Sequence, residues 1–321
     1  MLARVLTSIL FLEVFVYSGF AVARVVLGKW APGFAILFIL GMPVLVRGLI
    51  TLASFMLAWL WRSPRPASGR IGLLSAVALF LREWAGTSFV FGFGQAFENV
   101  FVASDRLPQV ARDEVPLLLV HGYCCNRGAW WWMKPRLERA GFVVATVNLE
   151  PVLGGIDDHA QPLSERIEEI CRETGAPRVA LVCHSMGGLS ARAYLRAFGS
   201  DRVARMITIG TPHRGSRLAR LGLGRNARQM TPGSEWIEQL ASQPQVPQSG
   251  VVSIYSLHDN LVAPQDGAIL EGADSIPLAG RGHIDLLHSR AVLDRVIDAI
   301  GSRAAAAAEA TVRSRSRASA A

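Results

Sequence analysis

Two long apolar runs at the start of the chain constrain it most: Val5–Ala23, whose only charge is Glu13, and Phe34–Trp61, whose only charge is Arg47. As a helix, each is long enough to cross the roughly 30 Å of hydrocarbon in a bilayer. The turn-forming stretch Gly28-Lys29-Trp30-Ala31-Pro32-Gly33 lies between them. Residues 1–62 therefore read as a helical hairpin anchor with spans at about 4–27 and 34–61. Glu13 and Arg47 lie about 17 residues to either side of the turn centre, which at about 1.5 Å per residue puts them at nearly equal depth. Either they pair across the hairpin, or each marks a break where its helix lies at the interface.

Basic residues set the orientation. Arg4 precedes the first span, Arg24 and Lys29 lie between the spans, and Arg62, Arg65 and Arg70 follow the second. That distribution places both ends on the cytoplasmic side, as for a bacterial inner membrane. No small-residue cleavage site follows the first run, so it reads as a retained anchor and not a removed signal peptide. The formal charge of +8 comes almost entirely from arginine, with clusters after residues 61 and 302. These suit an anionic lipid surface. They lack the aromatic interleaving of a nucleic-acid site, so nucleic acid is not an expected partner.

Residues 63–112 form a Pro/Gly/Ser linker followed by another apolar stretch, Ile71–Gly94. Arg82 and Glu83 at its centre favour an interfacial or domain-packing helix over a third span. From Pro116 the pattern changes. Short apolar runs at Pro116–Val120, Phe142–Val147, Arg178–Val182, Arg205–Ile209, Val251–Tyr255 and Ser275–Leu278 read as strands. Helical spacing separates several of them, as in Leu163, Ile167 and Ile170, and it returns in Leu286, Leu293, Val296, Ile297 and Ile300. Strands alternating with helices predict an α/β domain over 113–301, a mostly parallel sheet with helices on both faces. Residues 302–321 are mainly Ala, Ser and Arg, which cannot bury a core and predict disorder. Cys124, Cys125, Cys171 and Cys183 show no metal-ligand spacing and are expected to be free thiols.

Val182-Cys183-His184-Ser185-Met186-Gly187-Gly188 follows a predicted strand and precedes a helical run. A sharp turn there lifts a serine hydroxyl above the sheet edge, which makes Ser185 the candidate nucleophile. Cys183 stands where such turns usually carry glycine. The strand Leu117–Val120 ends in His121-Gly122-Tyr123. Acyl transfer needs two preorganised N–H groups at the developing oxyanion, and by position these would be those of Tyr123 and Met186. A serine also needs a base held in one tautomer by a carboxylate. Asp259 and His283 each follow a predicted strand on the edge that bears Ser185. Asp274 falls on the opposite edge and Asp285 lies too close to His283. His288 is the runner-up base, inside the final helix. His184, His213 and His258 read as packing or loop structure, and His159 as part of a polar loop. Trp130, Trp131 and Trp132 read as core or as lining of an acyl pocket.

These motifs, together with Ile209-Gly210-Thr211-Pro212-His213-Arg214-Gly215-Ser216 and Gly282-His283-Ile284, resemble the lipase and esterase branch of the α/β-hydrolase superfamily, particularly bacterial triacylglycerol lipases. The resemblance covers roughly Val115–Ile300. It implies the α/β-hydrolase fold, with Ser185 as nucleophile, His283 as base, Asp259 as orienting acid and Tyr123 and Met186 as oxyanion donors. It also implies a helical cap, for which 217–243 is the candidate, with Met230, Trp236, Ile237 and Leu240 facing the acyl pocket. The expected reaction is hydrolysis of lipid-like esters through an acyl-enzyme, with no metal and no cofactor. Two alternatives remain open: an acyltransferase using the same triad, and a non-catalytic membrane scaffold.

Overall fold

The computed structural model describes residues 1–111, 114–242 and 250–301. The expected disordered tail lies outside the described residues, as does the last residue of the candidate cap. Two helices, α1 (Leu2–Val26) and α2 (Pro32–Leu60), form the hairpin. Arg47 donates to both carboxylate oxygens of Glu13, at 3.0 and 3.2 Å, and also to the Pro43 carbonyl at 2.9 Å. The two charges that break the apolar runs thus meet at one depth. Reversing either charge alone is expected to cost about 3 kcal/mol of membrane insertion. The double reversal, Glu13→Arg with Arg47→Glu, is expected to restore it in a glycosylation-reporter insertion assay.

A third helix, α3 (Leu73–Phe89), continues through a π-helical turn at Val90–Gly94. Leu73–Gly94 as a whole is long and apolar enough to cross a membrane. Its central charges are nonetheless taken up by the C-terminal domain, where Arg82 pairs with Asp285 at 3.1 Å and Glu83 is fully buried. On its other side Trp84 donates to the Val44 carbonyl of α2 at 2.7 Å. Of the two expectations for this segment, the packing helix describes these contacts. A short helix, α4 (Glu98–Phe101), ends the N-terminal arm.

All six expected strands form: β1 (Leu117–Val120), β2 (Val144–Thr146), β3 (Val179–His184), β4 (Val203–Ile209), β5 (Val251–Ser256) and β6 (Asp274–Leu278). They make one parallel sheet in the order β2-β1-β3-β4-β5-β6. The boundaries follow the ladder. β3 runs on to His184 because its pairing with β4 continues to His184↔Ile209, whereas β2 shrinks because only Val144–Thr146 find partners on β1.

Side chains alternate across the sheet, so Leu117 and Leu119 enter one core with Val182, Ile209 and Ile254, while Leu118 and Val120 enter another with Leu181 and Met206. The first core is closed by Trp130, by α5 (Lys134–Arg139) and by a final helix, α10, through residues 290–301. The second is closed by α6 (Ala160–Thr174) and α7 (Met186–Phe198). The four cysteines are free. Leu286 lies in a tight 3-10 turn, Asp285–His288, and not in the final helix, because the turn is fixed by contacts from α3.

Between β4 and β5 lie a 3-10 turn at Arg217–Leu221, α8 (Gly224–Gln229) and α9 (Glu235–Ser242). Met230, Trp236, Ile237 and Leu240 are buried there against Ile156, Met186, Leu189 and Ala193. They form a packed layer on α7 in place of an open acyl lining.

Candidate active site

The C-terminal ends of the strands carry the site, the edge at which open α/β sheets place their ligands. At the end of β3, Ser185 is half-buried and has φ 54°, a conformation rare for a residue bearing a Cβ. The turn is held by the Ser185 N–H donating to the Ile209 carbonyl at 2.9 Å, and by α7 starting at Met186. Cys183 is fully buried within β3 in the second core, so the position usually given to glycine is filled without distorting the strand.

Beyond β1, the His121-Gly122-Tyr123 loop runs directly against the serine. A methyl group on Gly122 would lie 2.8 Å from Ser185 Cβ, so only glycine fits there. His121 Nδ1–H donates to the Gly122 carbonyl and its Nε2 accepts the Leu149 N–H, both at 3.0 Å. Burial lowers the His121 pKa to about 4, so the ring is a neutral brace. Among the described residues neither the Tyr123 nor the Met186 N–H finds a protein acceptor. The Tyr123 hydroxyl reaches into the cap, donating to the Leu223 carbonyl and accepting the Leu223 N–H, each at 2.8 Å.

Asp259 follows β5 and His283 follows β6, and the two meet with Nδ1 2.8 Å from Oδ2 and 3.1 Å from Oδ1. Both are almost wholly buried. Asp259 Oδ1 also accepts the Leu261 and Val262 N–H groups at 2.8 Å, which fixes the carboxylate plane. Burial alone would lower the His283 pKa, but the charge and hydrogen bond of Asp259 outweigh it, with Glu83 contributing, and the ring is raised above the ordinary imidazole value.

His184, expected only to pack, lies against His283 with the rings tilted at 48° and centroids 4.6 Å apart, and its Nε2 lies 3.2 Å from the His283 carbonyl. In this resting geometry Ser185 Oγ makes no hydrogen bond to the His283 ring; such bonds commonly tighten only when substrate is present.

The other sequence candidates are placed elsewhere. His288 Nε2 accepts from Trp131 Nε1 at 3.0 Å, and burial lowers the His288 pKa to about 4, so the runner-up base is occupied on the wall of the first core. His258 Nδ1 accepts the Gly280 N–H, and His213 pairs with Thr208 inside the fold. His159, read as part of a polar loop, is instead fully buried against Ser190 Oγ at 3.0 Å, because the turn before α6 folds inward. Trp130 is fully buried, Trp131 packs on Phe89 of α3, and Trp132 lies beneath the Arg136 guanidinium, which is core and surface packing. Among the described residues no cluster of His, Cys, Asp and Glu could hold a metal ion.

Sequence reasoning did not anticipate how closely the N-terminal arm grips the site. Asn260 Oδ1 accepts the His283 N–H at 2.9 Å, while its Nδ2 donates to Ser54 of α2 at 2.8 Å. Ser63 exchanges hydrogen bonds with Asp266, and Arg65 donates to the Leu257 carbonyl. Gln95 takes the Asn126 N–H on its side chain and the Asn126 amide on its carbonyl, just beyond the Tyr123 loop.

Residues 115–249 match the family of the alpha/beta hydrolase fold. Similar proteins include a triacylglycerol lipase of Burkholderia plantarii, 33% identical over 152 residues that make up 45% of this chain and 40% of the relative. Another is a triacylglycerol lipase of Pseudarthrobacter phenanthrenivorans, 34% identical over 34% of this chain and 36% of the relative. The chain thus spans about two-fifths of the length of these relatives. The mature Bacillus licheniformis lipase BlEst2 superposes with a TM-score of 0.55 at 19% identity, covering 61% of this chain and 96% of that one. At that identity the likeness is one of fold.

Proposed function

We propose that this chain, whose residues 115–249 match the alpha/beta hydrolase fold and whose relatives include triacylglycerol lipases, is a membrane-anchored serine ester hydrolase that cleaves lipid-like carboxylic esters through an acyl-enzyme on Ser185. The observation that carries this reading is the buried Asp259–His283 pair, held on the sheet edge that bears the strained Ser185 turn. In the proposed cycle His283 Nε2 takes the Ser185 proton as Oγ attacks the ester carbonyl. The Tyr123 and Met186 N–H groups stabilise the oxyanion, and the imidazolium then protonates the leaving alcohol. Water, activated by the same ring, releases the carboxylic acid.

The lipid-like substrate is supported by where the anchor meets the domain. The C-terminal end of α2 and the following linker touch Asn260 and Asp266 on the edge that bears Ser185, which sets these loops beside the end of a helix long and apolar enough to cross a membrane. In this reading α1 and α2 span the inner membrane and α3 stays with the catalytic domain on the cytoplasmic side, because Arg82 and Glu83 are engaged there.

The test is hydrolysis of p-nitrophenyl esters from short to long chains by the detergent-solubilised chain, with the site of fluorophosphonate labelling mapped by mass spectrometry. Hydrolysis favouring long chains, with the adduct on Ser185, is expected. An unlabelled Ser185 in folded protein overturns the reading, and acyl transfer to an added alcohol in preference to water would make the chain a transferase. Because the base acts only when neutral and its pKa is raised, the acid limb of kcat/KM is expected above the ordinary imidazole value of about 6.5, with activity lost as pH falls through it.

A further inference from the structure

We propose that Glu83, on α3 outside the hydrolase fold, is a positioning residue for the His283 base; this rests on the serine-hydrolase reading above. Glu83 is fully buried, and both of its oxygens are used: Oε1 accepts the Ile284 N–H at 3.0 Å and Oε2 accepts the Asp285 N–H at 2.8 Å. These two N–H groups open the 3-10 turn Asp285–His288 and have no partner within it, so the carboxylate caps the turn from another element. The approach is close enough that a methyl group on Gly282 would lie 2.3 Å from Oε2, which leaves glycine as the only residue that fits. Gly282 and Ile284 are the two neighbours of His283, so the carboxylate holds the backbone after the base by hydrogen bonds and packs closely against the residue before it.

Among the described residues no Lys or Arg pairs with Glu83, because Arg82 and Arg281 both pair with Asp285. A buried carboxylate in an otherwise apolar helix is costly unless its hydrogen bonds are needed. The remaining restraints on the ring and its backbone are Asp259 at Nδ1, Asn260 at the His283 N–H and His184 at its carbonyl. Glu83 is the restraint supplied by the N-terminal arm through a charged group, and it makes the geometry of the base depend on the docking of α3.

The full chain in detergent tests this with Glu83→Gln, which keeps shape and one acceptor, and Glu83→Leu, which keeps neither. A displaced base is expected to lower kcat about 10-fold in Glu83→Gln and about 100-fold in Glu83→Leu, with KM nearly unchanged because Glu83 does not touch substrate. Fluorophosphonate labelling of Ser185 is expected to slow in parallel. The acid limb of kcat/KM is expected to move to lower pH, though by less than a fully ionised carboxylate would give because burial raises the Glu83 pKa itself to about 7, with Asp259 on the acid loop, His184 beside the nucleophile, and Arg82, Arg281, Asp285 and His288 around the turn unchanged. Wild-type kcat and an unmoved limb in a folded Glu83→Gln protein overturn the proposal, and that variant decides if Glu83→Leu fails to fold. A wild-type protein that fails to label overturns the hydrolase reading itself, which separates the two failures.

Discussion

Ser185→Ala is expected to reduce kcat for ester hydrolysis by a factor on the order of a million, leaving only the acceleration that binding and the oxyanion donors supply. The loss is chemical and not structural. Alanine keeps the Cβ that already tolerates φ 54°, and among the described residues the Ser185 hydroxyl has no hydrogen-bond partner that its removal would orphan. Thermal denaturation should therefore place the variant close to wild type. Stopped assays with a long-chain p-nitrophenyl ester read the effect, and retention of more than a thousandth of wild-type activity would mean that the acyl group is carried elsewhere.

Asp259→Asn is expected to lower kcat about 10⁴-fold while leaving the folded structure in place. The wild-type carboxylate accepts the His283 Nδ1–H at 2.8 Å, so Nε2 is free to take a proton from Ser185. An asparagine can still accept the Leu261 and Val262 N–H groups through its carbonyl oxygen. Its amide then presents N–H to Nδ1, so the ring takes the opposite tautomer and Nε2 carries a hydrogen that blocks it as a base. Loss of the charge that raises the His283 pKa should also move the acid limb of the residual activity to lower pH, since burial would then prevail. An active variant with an unmoved limb would assign the orienting role to another acid.

Different parts of this molecule were legible to different degrees for physical reasons. The six strands were readable because each is a short apolar run bounded by turn residues, and the elbow was readable because a strand, a serine with Cys183 and Gly187 two residues to either side, and a helix follow in order. Asp259 and His283, chosen for their place after strand ends and for the chain order Ser, Asp, His, do meet in the structure. Glu83 was visible only as a charge that disqualified a third span; its partners are backbone N–H groups more than 200 residues away, which leave no mark on sequence. The available signal was the charge itself, because a carboxylate in an apolar helix must be satisfied somewhere. His159 misled for the converse reason, since the polar residues around it gave no hint that its own side chain turns inward to Ser190. The cap residues looked like a pocket lining because apolar spacing does not reveal whether the facing surface is a cavity or the packed flank of α7.

The hydrogen bonds that join Ser54, Ser63, Glu83 and Gln95 to the loops bearing Asp259, His283 and Tyr123 carry a consequence for modularity. The boundary of the fold, near residue 113, is not the boundary of the working unit. A domain excised there to make a soluble protein would keep its sheet but lose Val90 from the first core and acceptors for N–H groups in all three loops. Grafting the domain onto a foreign anchor would have the same effect. In this lineage anchor and catalyst would be inherited as one piece, and substitutions in the first 111 residues would be constrained by chemistry as well as by hydrophobicity.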